Sequence, residues 1–155
     1  MPSASGDKRH PKKARSTAPA KRGKAVDYET LAQFRYELRR FQAFSEAAAN
    51  RSGLTAQQHQ ALLAIRGFSS RESISIGDLA RYLLIRHHTA VELVDRMVKL
   101  NTLSRSVDPR DARRVLVQLT SEGERRLQRL SRIHLDELRA IGPTLTKILT
   151  LFGRP

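Results

Sequence analysis

Between Asp108 and Gly123 the chain reads DPRDARRVLVQLTSEG, and this stretch limits the fold more than any other. Pro109 sits among short acids and arginines, where a fixed φ and side chains that bond their own backbone favour a turn. Val115, Val117 and Leu119 then alternate with Leu116 and Gln118, a strand pattern of period two. Thr120 follows as a helix N-cap, and Leu127, Leu130, Leu135 and Leu138 carry the long helix that it opens. With Leu103 to Asp108 on the other side of the turn at DPRDAR, the segment predicts a hairpin feeding straight into a helix. Gly142-Pro143 predicts a break in that helix, followed by a short apolar helix through Leu145, Ile148, Leu149 and Phe152.

Upstream the pattern is helical. Asp27 is an N-cap for a helix with Leu31, Phe34, Leu38, Phe41 and Ala48 at helical spacing, ended by Gly53. Thr55-x-x-Gln58 is a capping box for a second helix with Leu62, Leu63 and Ile65 as its apolar residues, and Gly67 reads as its C-cap. Ile74 and Ile76 fit a short extended pair. Ser75, with Asp78 three residues on, caps a helix whose small apolar face is Leu79, Ala80 and Leu83. In the next helix Ala90, Leu93, Val94 and Met97 fall at i, i+3, i+4 and i+7 and should face the core. His87, His88, Glu92, Asp95 and Arg96 are left looking outward or obliquely. Asn101 stands where a left-handed residue closes that helix.

Two short helices followed by a hairpin outline a winged helix-turn-helix. The predicted fold is mainly α with a small β-hairpin wing. The DNA-binding lobe spans about 54–120, with dimerisation helices at about 27–52 and 120–152. Leu31, Phe34 and Leu38 near one end, and Leu145, Ile148, Leu149 and Phe152 near the other, leave two apolar segments that a two-fold dimer would bury. Packing within one chain is the competing reading.

Charge narrows the partner. The net charge is +14 in 155 residues, which points to a polyanion, nucleic acid before an anionic membrane surface. Residues 1–25 hold eight Lys/Arg against one acid, with three prolines and no aromatic residue, and are expected to be disordered. Two readings of this tail stand: a solvated solubilising segment, or an arm adding phosphate contacts. The domain proper is expected over 26–155. With no cysteine, thiolate nucleophiles, disulfides and Cys-based zinc sites are excluded. No apolar run is long enough for a membrane span and no signal core follows the first residues. The expected location is therefore the bacterial-type cytoplasm, at the nucleoid. His87 and His88 are neighbours on a helix and point about 100° apart, so they are poorly placed to share a metal ion. No phosphate loop or nucleophile elbow is present. Neither a cofactor, a metal nor an enzymatic activity is expected.

LLIRHHTAVELVDRMVKLNTLSRSVDPRDARRVLVQLTSEG resembles the core of the MarR-type winged-helix regulators. The matching residues are Leu93-Val94-Asp95-Arg96-Met97, Arg105, the wing Asp108-Pro109-Arg110-Asp111-Ala112-Arg113, and Leu119-Thr120-Ser121-Glu122-Gly123. IGDLARYL is similar to the family's first helix-turn-helix helix. The resemblance covers about 28–150 and is strongest through 75–123. Two positions depart from it. Arg86 stands where the family has Ser or Thr, which implies a weaker cap or an arginine set at the groove edge. Asn101 replaces the usual glycine.

The resemblance implies roles. Arg86, His87, His88 and Thr89 would meet base edges in the major groove, with Glu92 and Arg96 on nearby faces. Imidazole suits guanine or phosphate, Thr a thymine methyl, and Glu92 a cytosine amine. Arg96 would sooner meet a phosphate or pair with Asp95 or Asp108. Arg110 would enter the minor groove, where a narrow A·T-rich tract concentrates negative potential. Asp111 would pair with Arg113 to fix the loop, with Asp108 as a second orienter. Regulators of this type often bind a small anionic or aromatic effector between the dimer helices and the DNA-binding lobe; Arg40, Phe41, Phe44 and His59 are candidates to line such a pocket. The expected partners are double-stranded DNA with an inverted-repeat operator, a second copy of the chain, and that effector, with no membrane. The function implied is a dimeric, sequence-specific regulator, a repressor released by its ligand. The alternatives are a basic architectural protein without sequence preference, and a protein-interaction module on the same scaffold.

Overall fold

The computed structural model describes residues 27–69 and 73–152, so the basic tail lies outside the described residues. α1 spans Tyr28–Arg51, capped by the Asp27 carboxylate, which accepts from the Thr30 N–H. The bond donated by the Thr30 hydroxyl, and then that backbone bond, hold the Asp27 carboxyl below its ordinary pKa. α2 spans Ala56–Phe68 and opens on a complete capping box: Thr55 Oγ1 accepts from the Gln58 N–H, and Gln58 Oε1 from the Thr55 N–H. β1 is Ser73–Ser75, α3 Ile76–Tyr82, α4 His87–Lys99, β2 Leu103–Asp108, β3 Asp111–Leu119 and α5 Ser121–Phe152. The strands form one antiparallel sheet in the order β1-β3-β2. None of the described helices is long and apolar enough to cross a membrane.

The core follows the apolar periodicity. Ala90, Leu93, Val94 and Met97 of α4 are buried with Leu62, Ile65, Leu79, Leu103 and Val117. α5 adds Leu127 and Leu130 to the same cluster, so the long helix is rooted in the lobe. The entry to α5 is tight. Thr120 Oγ1 accepts from the Gly123 N–H, as an N-cap should. A Cβ on Gly123 would collide with the Thr102 carbonyl oxygen, so only glycine fits.

Three helices end alike. After α1, the Leu54 N–H donates to Ala49 O and Gly53 has φ 70°. After α3, Ile85 N–H donates to Ala80 O and Leu84 has φ 55°. After α4, Thr102 N–H donates to Met97 O and Asn101 has φ 53°. Each is a six-to-one closure through one left-handed residue. Glycine and asparagine tolerate that conformation; leucine does not do so readily.

Four expectations change. Gly67 lies inside α2, whose C-cap is Ser69, because nothing there requires a left-handed residue. Ile76 begins α3 instead of extending β1, since the Ser75 side chain already caps the helix. Only Pro109 and Arg110 separate the wing strands, and β3 starts at Asp111, four residues before the apolar alternation. Asp111, Ala112, Arg113 and Arg114 carry no alternation of large apolar residues, so the pattern could not reveal them. α5 runs unbroken through Gly142-Pro143. Pro143 removes one backbone donor but sits on the exposed side, where water can take the freed carbonyl, while Ile141 and Ile148 are buried on either side.

Candidate nucleic-acid interface

α4 turns one face to the core and the opposite face outward. Arg86, His87, His88, Glu92 and Arg96 are exposed and Thr89 is half-buried. Arg86 provides no side-chain cap to α4, which leaves its side chain free of the helix end. His87 lines a groove of about 380 Å³ together with Ser75, Val91, Arg105, Arg113 and Arg114. The start of α4 and the base of the wing therefore share one basic surface.

The wing tip explains the repeated Asp-x-Arg spacing. Asp108 Oδ1 accepts from the Arg110 N–H at 2.9 Å, and Asp111 Oδ1 from the Arg113 N–H at 3.1 Å. Each acid closes a small turn on the amide two residues ahead. Asp111 also takes the Arg113 guanidinium at 3.2 Å, so the expected pair is present. Asp108 shapes the Arg110 backbone and leaves its side chain alone. Among the described residues the Arg110 guanidinium has no carboxylate partner, and it projects from the two-residue tip.

Arg96 pairs with neither Asp95 nor Asp108. Asp95 receives Arg105 of β2 at 2.7 Å, and Asp108 has Arg114 Nε at 3.9 Å. Adjacent residues on a helix diverge, so Asp95 meets the neighbouring strand and not Arg96. Arg105 and Arg114 were not among the expected site residues; Arg105 stood only as a match to the family pattern, and Arg114 only as a further arginine next to an Asp-rich turn.

Arg40, Phe41, Phe44 and His59 do not form one group. Phe41, Phe44 and His59 surround His134 of α5, with ring centroids 6.0, 5.9 and 4.6 Å away. Arg40 points elsewhere, to Glu37 and Glu137. Among the apolar end residues, Leu31, Leu38, Leu149 and Phe152 are exposed, Phe34 and Leu145 are half-buried, and Ile148 is buried within the chain. Phe34 meets Phe152 edge-on at 5.9 Å, joining α1 to the end of α5.

The family model described as MarR family matches residues 52–114, from the end of α1 through the wing. Over that stretch the chain is similar to the MarR family. The transcriptional activatory protein BadR of Rhodopseudomonas palustris is 36% identical over 76 residues. That match covers 49% of this chain and 43% of BadR, less than half the length of either. A mutant of S. aureus MepR bound to an oligodeoxyribonucleotide shares the fold, with TM-score 0.61, 19% identity, and coverage of 83% of this chain and 99% of MepR. NadR in complex with 4-hydroxyphenylacetate does so with TM-score 0.63, 23% identity, and coverage of 88% and 94%. The chain thus shares the winged-helix fold of these structures.

Proposed function

We propose that the chain is a homodimeric, sequence-specific DNA-binding repressor, cytoplasmic and released from its operator by a small molecule. Two copies of α4 enter successive major grooves, with His87, His88 and Thr89 against base edges. Arg110 of each wing enters the adjacent minor groove. The observation that carries this reading is the shared groove: a recognition-helix start and a wing base, lined by His87, Arg105, Arg113 and Arg114, on one surface. A DNA-bound neighbour of the same fold supports it.

The dimer reading is supported by the exposed Leu31, Leu38, Leu149 and Phe152 at the two ends of the chain. The effector reading is supported by NadR's complex with 4-hydroxyphenylacetate and by the aromatic–imidazole cluster around His134. An effector acts only through different affinity for the free and DNA-bound arrangements. Thermal-shift screening with phenolic carboxylates tests it: no shift and no release from DNA count against a ligand.

Selection of genomic fragments by the purified protein, followed by footprinting at about 150 mM salt, tests the whole reading. A protected inverted repeat with half-sites about one helical turn apart is expected. Diffuse protection that disappears as salt rises would make the protein an architectural binder. A reporter placed behind the protected site gives the direction of regulation, which matters because BadR is an activatory protein.

A further inference from the structure

Three arginines line the groove beside α4, and Arg114 is tied differently from the other two. Arg105 pairs with Asp95 of α4, and Arg113 pairs within the wing with Asp111. Arg114 bridges two elements. Its Nη2 lies 3.4 Å from Asp78 Oδ2 on α3, and its Nε lies 3.9 Å from Asp108 Oδ2 at the end of β2.

Both acids are held from behind. Asp78 accepts from the Ser75 hydroxyl at 2.7 Å and from Arg81 at 2.8 Å. Asp108 accepts from the Arg110 N–H. A chain of contacts therefore runs from α3 through Asp78, Arg114 and Asp108 to the backbone of the wing-tip residue. The strand ladder does not do this job. Val107 faces Val115 and Asp108 faces Asp111, so Ala112, Arg113 and Arg114 have no partner across the hairpin. Above that irregularity the tip is tied to the lobe by side chains.

We propose that Arg114 is a positioning residue, a strut that fixes the angle of the wing against α3 and so the pose of Arg110. The inference rests on the DNA-reading role proposed for Arg110. Exposed ion pairs add little to global stability, so the strut acts on the tip's freedom and not on folding. A wing that swings must be re-ordered on binding, which costs affinity.

Hydrogen exchange on the free protein is the first test. Arg114→Ala should raise exchange several-fold at the Arg110 and Arg113 amides and leave α4 and the thermal midpoint unchanged. Unchanged exchange at the tip would overturn the proposal. Operator titration is the second. Arg114→Ala should weaken binding roughly tenfold, and adding it to Arg110→Ala should cost little more, because both act through one contact. Losses that simply add, with a salt slope lower by about one, would mean that Arg114 grips a phosphate itself and would overturn the strut. Asp78→Asn separates the two in sign. Removing an acid should strengthen binding to a polyanion if charge alone matters, whereas the strut requires that it weaken. If the unmodified protein shows no operator preference, the DNA-reading role fails, and the exchange experiment still decides whether Arg114 holds the wing.

Discussion

The imidazole of His59 on α2 lies 4.6 Å from that of His134 on α5, with their planes 33° apart. His134 Nδ1 lies 2.7 Å from Leu130 O, and a carbonyl only accepts, so Nδ1 carries the proton. In the neutral ring Nε2 then accepts from the Ser45 hydroxyl, also at 2.7 Å. His134 is thus satisfied, whereas among the described residues buried His59 Nδ1 has no partner. The pair joins a lobe helix to the long α5.

Acid should loosen this junction. Burial pushes the His59 imidazole down to about 4, and His134 beside it pushes the same way. A histidine with a folded pKa below its unfolded value near 6.5 stabilises through its neutral form. That contribution is complete above about 6.5 and is lost as pH falls toward 4, at about 1.4 kcal/mol per unit. Urea unfolding at pH 7.5 and pH 5 should show a clear drop in wild type and a smaller one in His59→Leu. Equal drops would mean that His59 titrates alike in both states.

Leu84 closes α3 in a left-handed conformation while 92% exposed. Relief of that strain, roughly 1–2 kcal/mol, exceeds the roughly 0.5–1 kcal/mol of extra chain entropy that glycine brings. Leu84→Gly should therefore raise the melting temperature by about 2–4 °C. A fall would show that the leucine packs against something outside its own chain.

Gly123→Ala should cost about 3 kcal/mol, because the added Cβ meets the Thr102 backbone, which cannot rotate away. Chemical denaturation checks it. A cost below about 1 kcal/mol would mean that α5 can slide off the sheet without loss.

Leu149 and Leu31 are about half exposed, at 53% and 45%. If a second copy covers them, Leu31→Glu with Leu149→Glu should yield monomers in analytical ultracentrifugation, with the lobe's melting behaviour retained. A dimer that survives both charges would place the interface elsewhere.

Local chemistry was legible in the sequence wherever one residue type answers one need. The Thr55–Gln58 box, the Ser75 and Thr120 caps, the left-handed Asn101 and the α4 core face are of this kind. What stayed hidden depends on tertiary contact. Pro143 reads as a break until the packing on both sides of it is known. β3 begins among charged residues and one alanine away from the core, so alternation is silent there. Arg114 and Asp95 become partners of distant residues only after the wing folds back on α3 and α4. His134, which no motif in the sequence marks, is the centre of the aromatic cluster.

One ratio tests the DNA-reading role of Arg110 most directly: the affinity of the protein for its selected inverted repeat against the same DNA scrambled, at about 150 mM salt, for wild type and Arg110→Ala. A preference of at least about 10³ is predicted for wild type. For Arg110→Ala, the same measurement should give binding at least tenfold weaker with the dimer intact. A ratio near one, with both proteins equally salt-sensitive, would contradict it and leave charge alone as the source of binding.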